Sequence, residues 1–250
     1  MGFTLGKKVC LLGLVLLLPA LCTSQFIQSR ATYYGSPDCY GTPTGACGFG
    51  EYGRTVNDGM VSGVSRLYKN GSGCGACYQV RCKNEQHCSD EGTYVVVTDY
   101  GEGDNTDFIL SPRAYGKLAR PEAQKDLFAF GVVDVEYRRV SCKYPGYNNI
   151  MIKVHEHSKY PDYLAIVIFY VAGQNDIVGV DLWRKDYQEW WPMRRAYGVV
   201  WDMANLPGGP IKLRIHSTSS AGVAYSVQSA NEIPNDWKVG ATYDSNVQIN

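Results

Sequence analysis

Apolar residues in this chain recur at every second position or in short unbroken runs, and seldom at the three-and-four spacing of a helix. Residues 133–137 alternate cleanly, with Val133, Val135 and Tyr137 set against Asp134 and Glu136, which predicts a strand with one buried face. Residues 78–82 and 94–98 are short, β-branched or aromatic, and separated by glycine-rich loops, so they are predicted as strands too. One helix is predicted from Ser111-Pro112: serine is a good N-cap, proline suits the first helical position, and Tyr115, Leu118 and Ala119 then share a face. Beyond residue 143 the pattern is again β. Residues 163–171 form a long apolar run typical of a buried central strand, and residues 211–216 put aliphatic side chains on one face and basic ones on the other. Turns at 173–176 and 207–210 punctuate this half, and short strands between such turns over about 100 residues predict a β-sandwich.

The first residues read as a secretory leader. Lys7 and Lys8 precede an apolar run from Val9 to Cys22 that ends in small residues, so residues 1–24 are expected to be removed before Gln25. The run is shorter than the roughly 18–20 residues that span a bilayer, no comparable stretch follows, and no membrane span is expected. Pro145 and Gly146 break the pattern between the two halves. The expected organisation is a first domain over 25–142, a linker over 143–149 and a second domain over 150–250, each long enough to bury its own core.

Charge excludes one class of partner. The chain carries 24 basic and 24 acidic residues, and losing Lys7 and Lys8 with the leader leaves a net of −2, so nothing points to nucleic acid. Of nine cysteines, Cys10 and Cys22 leave with the leader, and the remaining seven all precede residue 143. An odd number leaves one thiol over. Cys74, Cys77, Cys82 and Cys88, with His87 beside them, could be ligands of a metal or a redox pair; in a secreted chain they are read as structural disulfides, with no metal and no cofactor expected. Asn70-Gly71-Ser72 is a glycosylation sequon in a glycine-rich loop, with Asn70 the acceptor.

Several motifs stand out in both halves. In the first half these are Ala31-Thr32-Tyr33-Tyr34-Gly35, Gly45-Ala46-Cys47-Gly48, the stretch 73–82 and Val97-Thr98-Asp99. In the second half they are Pro161-Asp162-Tyr163-Leu164-Ala165, Trp190-Trp191-Pro192-Met193, Gly198-Val199-Val200-Trp201 and Ile233-Pro234-Asn235-Asp236-Trp237. Together they resemble the expansin family, with details of the plant expansin-like B group. The resemblance implies a mainly β protein: a six-stranded double-psi β-barrel followed by an immunoglobulin-like β-sandwich that binds carbohydrate. It also implies the pairs Cys47–Cys74, Cys77–Cys142 and Cys82–Cys88, leaving Cys39 over.

The resemblance then singles out site residues. Asp99, at the end of a β-branched strand, stands where the family keeps a groove aspartate, though an acid before Gly101 could also be a plain turn former. A His-Phe-Asp signature of the family is altered to Asp107-Phe108-Ile109, which puts Ile109 in the place of the second acid. Asp107 is a candidate to approach the groove by another path, or else a solvated loop acid. Thr32, Tyr33 and Tyr34 match a groove-lining segment, or else form a first strand with one face in the core. Tyr163 and Trp201 match exposed aromatics on which pyranose rings stack, or else are core residues, while Trp183, Trp190, Trp191 and Tyr197 read as packing residues.

The resulting expectation is a monomeric, secreted plant wall protein that binds cellulose, xyloglucan or another β-glucan without cutting it, and loosens or organises the wall. The rival is an inverting endoglucanase using Asp99 and Asp107, which needs an acid and a base about 6.5–9.5 Å apart. A third reading is a lectin or barwin-like defence protein with no effect on wall mechanics.

Overall fold

The computed structural model describes residues 25–103 and 106–249; the expected leader over 1–24 lies outside the described residues. Six strands close a barrel: β1 (Ile27–Tyr33), β2 (Val61–Val64), β3 (Cys77–Cys82), β4 (Thr93–Tyr100), β5 (Phe108–Leu110) and β6 (Val133–Val140), in the order β1-β5-β2-β4-β3-β6. The β1–β5 and β2–β4 pairs are parallel and the remaining pairs antiparallel. The alternation read over 133–137 is real: Val133, Val135 and Tyr137 are buried, while Asp134 is exposed. The predicted helix is α2 (Pro112–Leu118), which follows α1 (Glu51–Thr55) and precedes α3 (Gln124–Phe130). Its cap is as expected: the Ser111 hydroxyl oxygen accepts from Ala114 N at 3.1 Å, and the hydroxyl donates to Gly59 O at 2.7 Å.

Three disulfides staple the barrel, Cys47–Cys74, Cys77–Cys142 and Cys82–Cys88, the same pairs that the motifs imply. Cys39 is a free, exposed thiol.

The second half forms a sandwich. One sheet is β10 (Glu189–Pro192), β9 (Asn175–Arg184), β13 (Leu213–Ser219) and β14 (Ala224–Gln228), in that order. The other is β11 (Arg194–Tyr197), β12 (Val200–Ala204), β8 (Tyr163–Phe169), β7 (Met151–Val154) and β15 (Thr242–Asp244). Strand β8 explains the unbroken apolar run. Leu164, Ile166 and Ile168 join the sandwich interior, whereas Ala165, Val167 and Phe169 belong to a core shared with the barrel, so both faces are covered.

The two halves therefore dock closely. Val199 N donates to Cys47 O at 2.9 Å, and Asp176 takes Lys69 at 2.7 Å and Arg139 at 3.2 Å. Glycine is required at the seam: a Cβ on Gly198 would lie 2.2 Å from Cys47 O, and one on Gly71 would lie 2.9 Å from the Gly198 backbone. Among the described residues no helix is long and apolar enough to cross a membrane.

Candidate functional site

Asp99 reaches its position through a break in strand alternation. Val95 and Val97 of β4 point into the barrel core, and simple alternation would send Asp99 after them. The β2–β4 register, however, shifts between Ser62↔Val97 and Gly63↔Asp99, so β4 carries one extra residue. Such a bulge turns the following side chain to the other face, and Asp99 lies beside Gly63 and Gly45, whose missing side chains leave a depression next to it. Its Oδ1 accepts from Ala46 N at 2.6 Å and from Tyr100 N at 2.8 Å. Burial pushes its carboxyl above the usual range, partly offset by the Ala46 hydrogen bond. Tyr34 lies close enough that burial and the negative fields of Asp99 and Asp38 push its phenol up as well. Tyr68 and Tyr100, with ring centroids 5.2 Å apart, form one wall, and the Tyr68 hydroxyl donates to Ala46 O at 3.2 Å.

Among the described residues, Asp107 is not brought into contact with Asp99. Ile109 stands near it instead: Gly63 is flanked by Asp99 Cβ and Ile109 Cβ, 3.6 and 3.8 Å from where its own Cβ would sit. Asp107 is neither a solvated loop acid nor a free groove acid. It is 8% exposed, its Oδ2 accepts from Ser29 Oγ at 2.6 Å and pairs with Arg66 Nη2 at 2.7 Å, and Ser65 Oγ donates to its Oδ1 at 3.3 Å. A carboxylate so enclosed by donors holds β1, β5 and the 65–66 turn together.

The groove-lining segment is divided by the strand. Tyr33 packs between Tyr115 and Phe128, centroids 4.7 and 4.8 Å away, and its hydroxyl donates to Phe128 O at 3.2 Å. Thr32 Oγ1 donates to Gly131 O at 2.8 Å. Both are thus tied to the barrel and its helices while remaining only partly buried. Tyr34, just past the end of β1, is the member that shares its surroundings with Asp99.

The reading of Trp201 as an exposed aromatic is corrected. It pairs in register with Ile166, so its indole enters the sandwich interior, where it is 3% exposed and capped by the Arg195 guanidinium at 4.1 Å. The exposed ring on this strand pair is Tyr197, 45% exposed and set opposite Val200 on the barrel-facing side. Sequence reading places Tyr197 among packing residues, and the structure corrects that too. The signal lies in the surroundings: Trp201 closes the apolar run Val199-Val200-Trp201, whereas Tyr197 stands between Arg194-Arg195-Ala196 and Gly198.

Tyr197 and Tyr163 occupy the same face of their sheet. Tyr197 pairs with Val200 and Tyr163 with Ala204, four residues further along β12, roughly 13 Å at strand rise. The half-buried Tyr163 gives its hydroxyl to Asp202 Oδ2 at 2.8 Å, and Asp202 is held below the usual carboxylate range chiefly by its hydrogen bond from Arg194. The Tyr197 hydroxyl lies 3.3 Å from His155 Nε2. The ring of Tyr197 also covers Gly48, whose turn supplies the Ala46 amide to Asp99, so the depression of the barrel and the tyrosine face of the sandwich meet. Asn70 is exposed beside this junction. Among the described residues no cluster of His, Cys, Asp or Glu is placed to hold a metal.

Comparison with known proteins agrees with both halves. Residues 60–137 match the family profile described as lytic transglycolase, a double-psi β-barrel domain, and residues 150–234 match the expansin C-terminal domain. The chain is 58% identical to expansin-like B1 of Arabidopsis thaliana, with 94% of each chain covered, and 43% identical to expansin-like B1 of Oryza sativa subsp. japonica, covering 96% and 94%. It is 38% identical to expansin-B1 of Zea mays, covering 90% and 84%. Among solved structures, a point mutant of Clavibacter michiganensis expansin in complex with cellohexaose superposes with a TM-score of 0.66 at 19% identity, covering 90% of this chain and 98% of that one, which establishes a shared fold.

Proposed function

The chain belongs to the expansin family, and from that premise we propose that it is a secreted wall protein that binds β-glucan along Tyr163, Tyr197 and the Asp99 depression without hydrolysing it. The observation that carries this reading is the continuity of the exposed tyrosine face with the depression holding Asp99. Pyranose rings present apolar C–H faces that stack on open phenol rings, so this surface suits a neutral sugar polymer. The related fold of the Clavibacter michiganensis expansin, whose crystal structure contains cellohexaose, supports a β-glucan as the ligand class.

Hydrolysis with inversion needs one carboxylic acid and one carboxylate flanking the bond. Asp99, with its raised carboxyl, resembles the acid, but Ile109 faces it and Asp107 is bound to Arg66. An acid surrounded by phenols and amides can exchange hydrogen bonds with a glucan, each worth about 1 kcal/mol net, so contacts between chains are loosened locally with no covalent step. The leader motif, the disulfides and the family are the support for secretion to the wall, and the protein is read as a monomer.

Retention on insoluble cellulose tests the reading. The Tyr163→Ala, Tyr197→Ala double variant is expected to bind at least about tenfold more weakly than the parent at a temperature where both are fully folded, from the loss of two stacking rings. Equal retention would remove the tyrosine face from the proposal. Reducing ends released from soluble β-glucan by the parent but not by Asp99→Asn would establish the enzyme instead.

A further inference from the structure

The barrel carries a second concavity at the other end of β4. Strands β3, β4 and β6, with the start of the inter-domain segment, leave a cleft of about 690 Å³ over the Cys77–Cys142 disulfide. That is within the range of sites that take small organic molecules. Its floor is apolar, built from Met60, Val96 and Val140, with Pro145 on one side and the ring of Tyr94, 42% exposed, on the other. The disulfide fixes this floor covalently, so little ordering accompanies occupation.

The rim is one-signed. Among the described residues no carboxylate lines the cleft, while Arg138, Arg139 and Lys143 do. Arg139 pairs with Asp176, a carboxylate that it shares with Lys69. Arg138 gives its Nε to an uncharged acceptor, Gln79 Oε1, at 2.8 Å, and the exposed Lys143 makes no ion pair among the described residues. Two cations without a carboxylate partner, one of them over the Phe26 ring at 4.8 Å, above an apolar floor complement a ligand with the opposite arrangement, an apolar body ending in an anion.

We propose that this cleft binds a small amphipathic anion, one or two rings in size and carrying one carboxylate or sulfonate. The ring body rests on Met60, Val96 and Val140 beside Tyr94, and the anionic group lies between Arg138 and Lys143. Tyr94 and Asp99 are five residues apart on β4, roughly 16 Å at strand rise, so the cleft is separate from the polysaccharide face.

Fluorescence titration of the mature protein with 1-anilinonaphthalene-8-sulfonate, and with the neutral N-phenyl-1-naphthylamine, tests this. Expected are saturable one-to-one binding of the sulfonate, at least about tenfold tighter than the neutral probe, and collapse of that difference in the Arg138→Gln, Lys143→Glu double variant. The single variant Lys143→Glu, altering only an exposed side chain, is expected to lose several-fold in sulfonate affinity with an unchanged melting curve. Retention on cellulose is expected to be the same with the sulfonate probe at saturation. Equal affinity for both probes, non-saturable binding, sulfonate affinity indifferent to the two variants, or loss of cellulose retention under the probe would each overturn the proposal.

Discussion

The barrel closes its sheet over three disulfides, whereas the chain from Lys143 onward contains no cysteine and keeps its two sheets together with an aliphatic core into which Trp201 and Trp237 are also packed. This difference explains which residues each half can leave open. Covalent staples let the barrel carry glycine-rich turns and a bulge around Asp99. The sandwich has only burial to stabilise it, and a fully buried large side chain contributes about 1.5–3 kcal/mol or more, so its large aromatics go inside unless a strand edge or the seam exposes them. Tyr197 is exposed at the seam, and Trp201, two strand positions past Val199, is not.

The largest break in that contrast is expected from Trp201→Ala. Removing the indole from the sandwich core should cost about 3–5 kcal/mol and lower the calorimetric melting temperature of the second half, whereas Tyr197→Ala should cost under about 1 kcal/mol. Next comes Cys77→Ser with Cys142→Ser. This disulfide closes a sequence separation of 65 residues and is worth up to about 4 kcal/mol to the barrel. All five tryptophans lie beyond Lys143, so the denaturant midpoint read by tryptophan emission should move less than the midpoint read by far-ultraviolet circular dichroism. Coincident shifts would show that the shared core makes the two halves one cooperative unit.

The smallest effect concerns pH. Burial holds the Asp99 carboxyl above its ordinary value, so in the window between the two values the folded protein binds more protons than the unfolded chain, and stability falls as pH rises through that window. Asp202, held below its ordinary value by Arg194, works in the opposite sense: its stabilisation is present above the ordinary carboxylate value and is lost as pH falls. Melting temperatures of the parent and Asp99→Asn, measured from acid to neutral pH, should therefore diverge in favour of the variant as pH rises and then level off. Parallel curves would mean that Asp99 is fully solvated.

Strand positions are readable where a single face is buried. The alternation at 133–137 and the Ser111-Pro112 helix start both reappear in the structure, because they depend on neighbours within a few residues. Harder cases have distant causes. The apolar run at 163–171 reveals that β8 is buried but not that the barrel covers one of its faces, which is what sends Tyr163 and Val167 one way and Ile166 and Ile168 the other. Asp107 is ambiguous in the sequence because its partners, Ser29 and Arg66, stand 78 and 41 residues away.

From the order of residues alone came the β character of each half, the division between a cysteine-bearing and a cysteine-free part and the helix cap, which follow from local periodicity and from chemistry that each residue carries with it; the barrel type and the choice of Asp99 as a candidate came from the resemblance to the expansins. Which tyrosine or tryptophan faces water, and whether an acid is free or paired, depended on strand register, on one extra residue in β4 and on where the two halves touch. A shift of one position in a strand moves a side chain from core to surface, and that register is set by contacts between segments far apart in the chain.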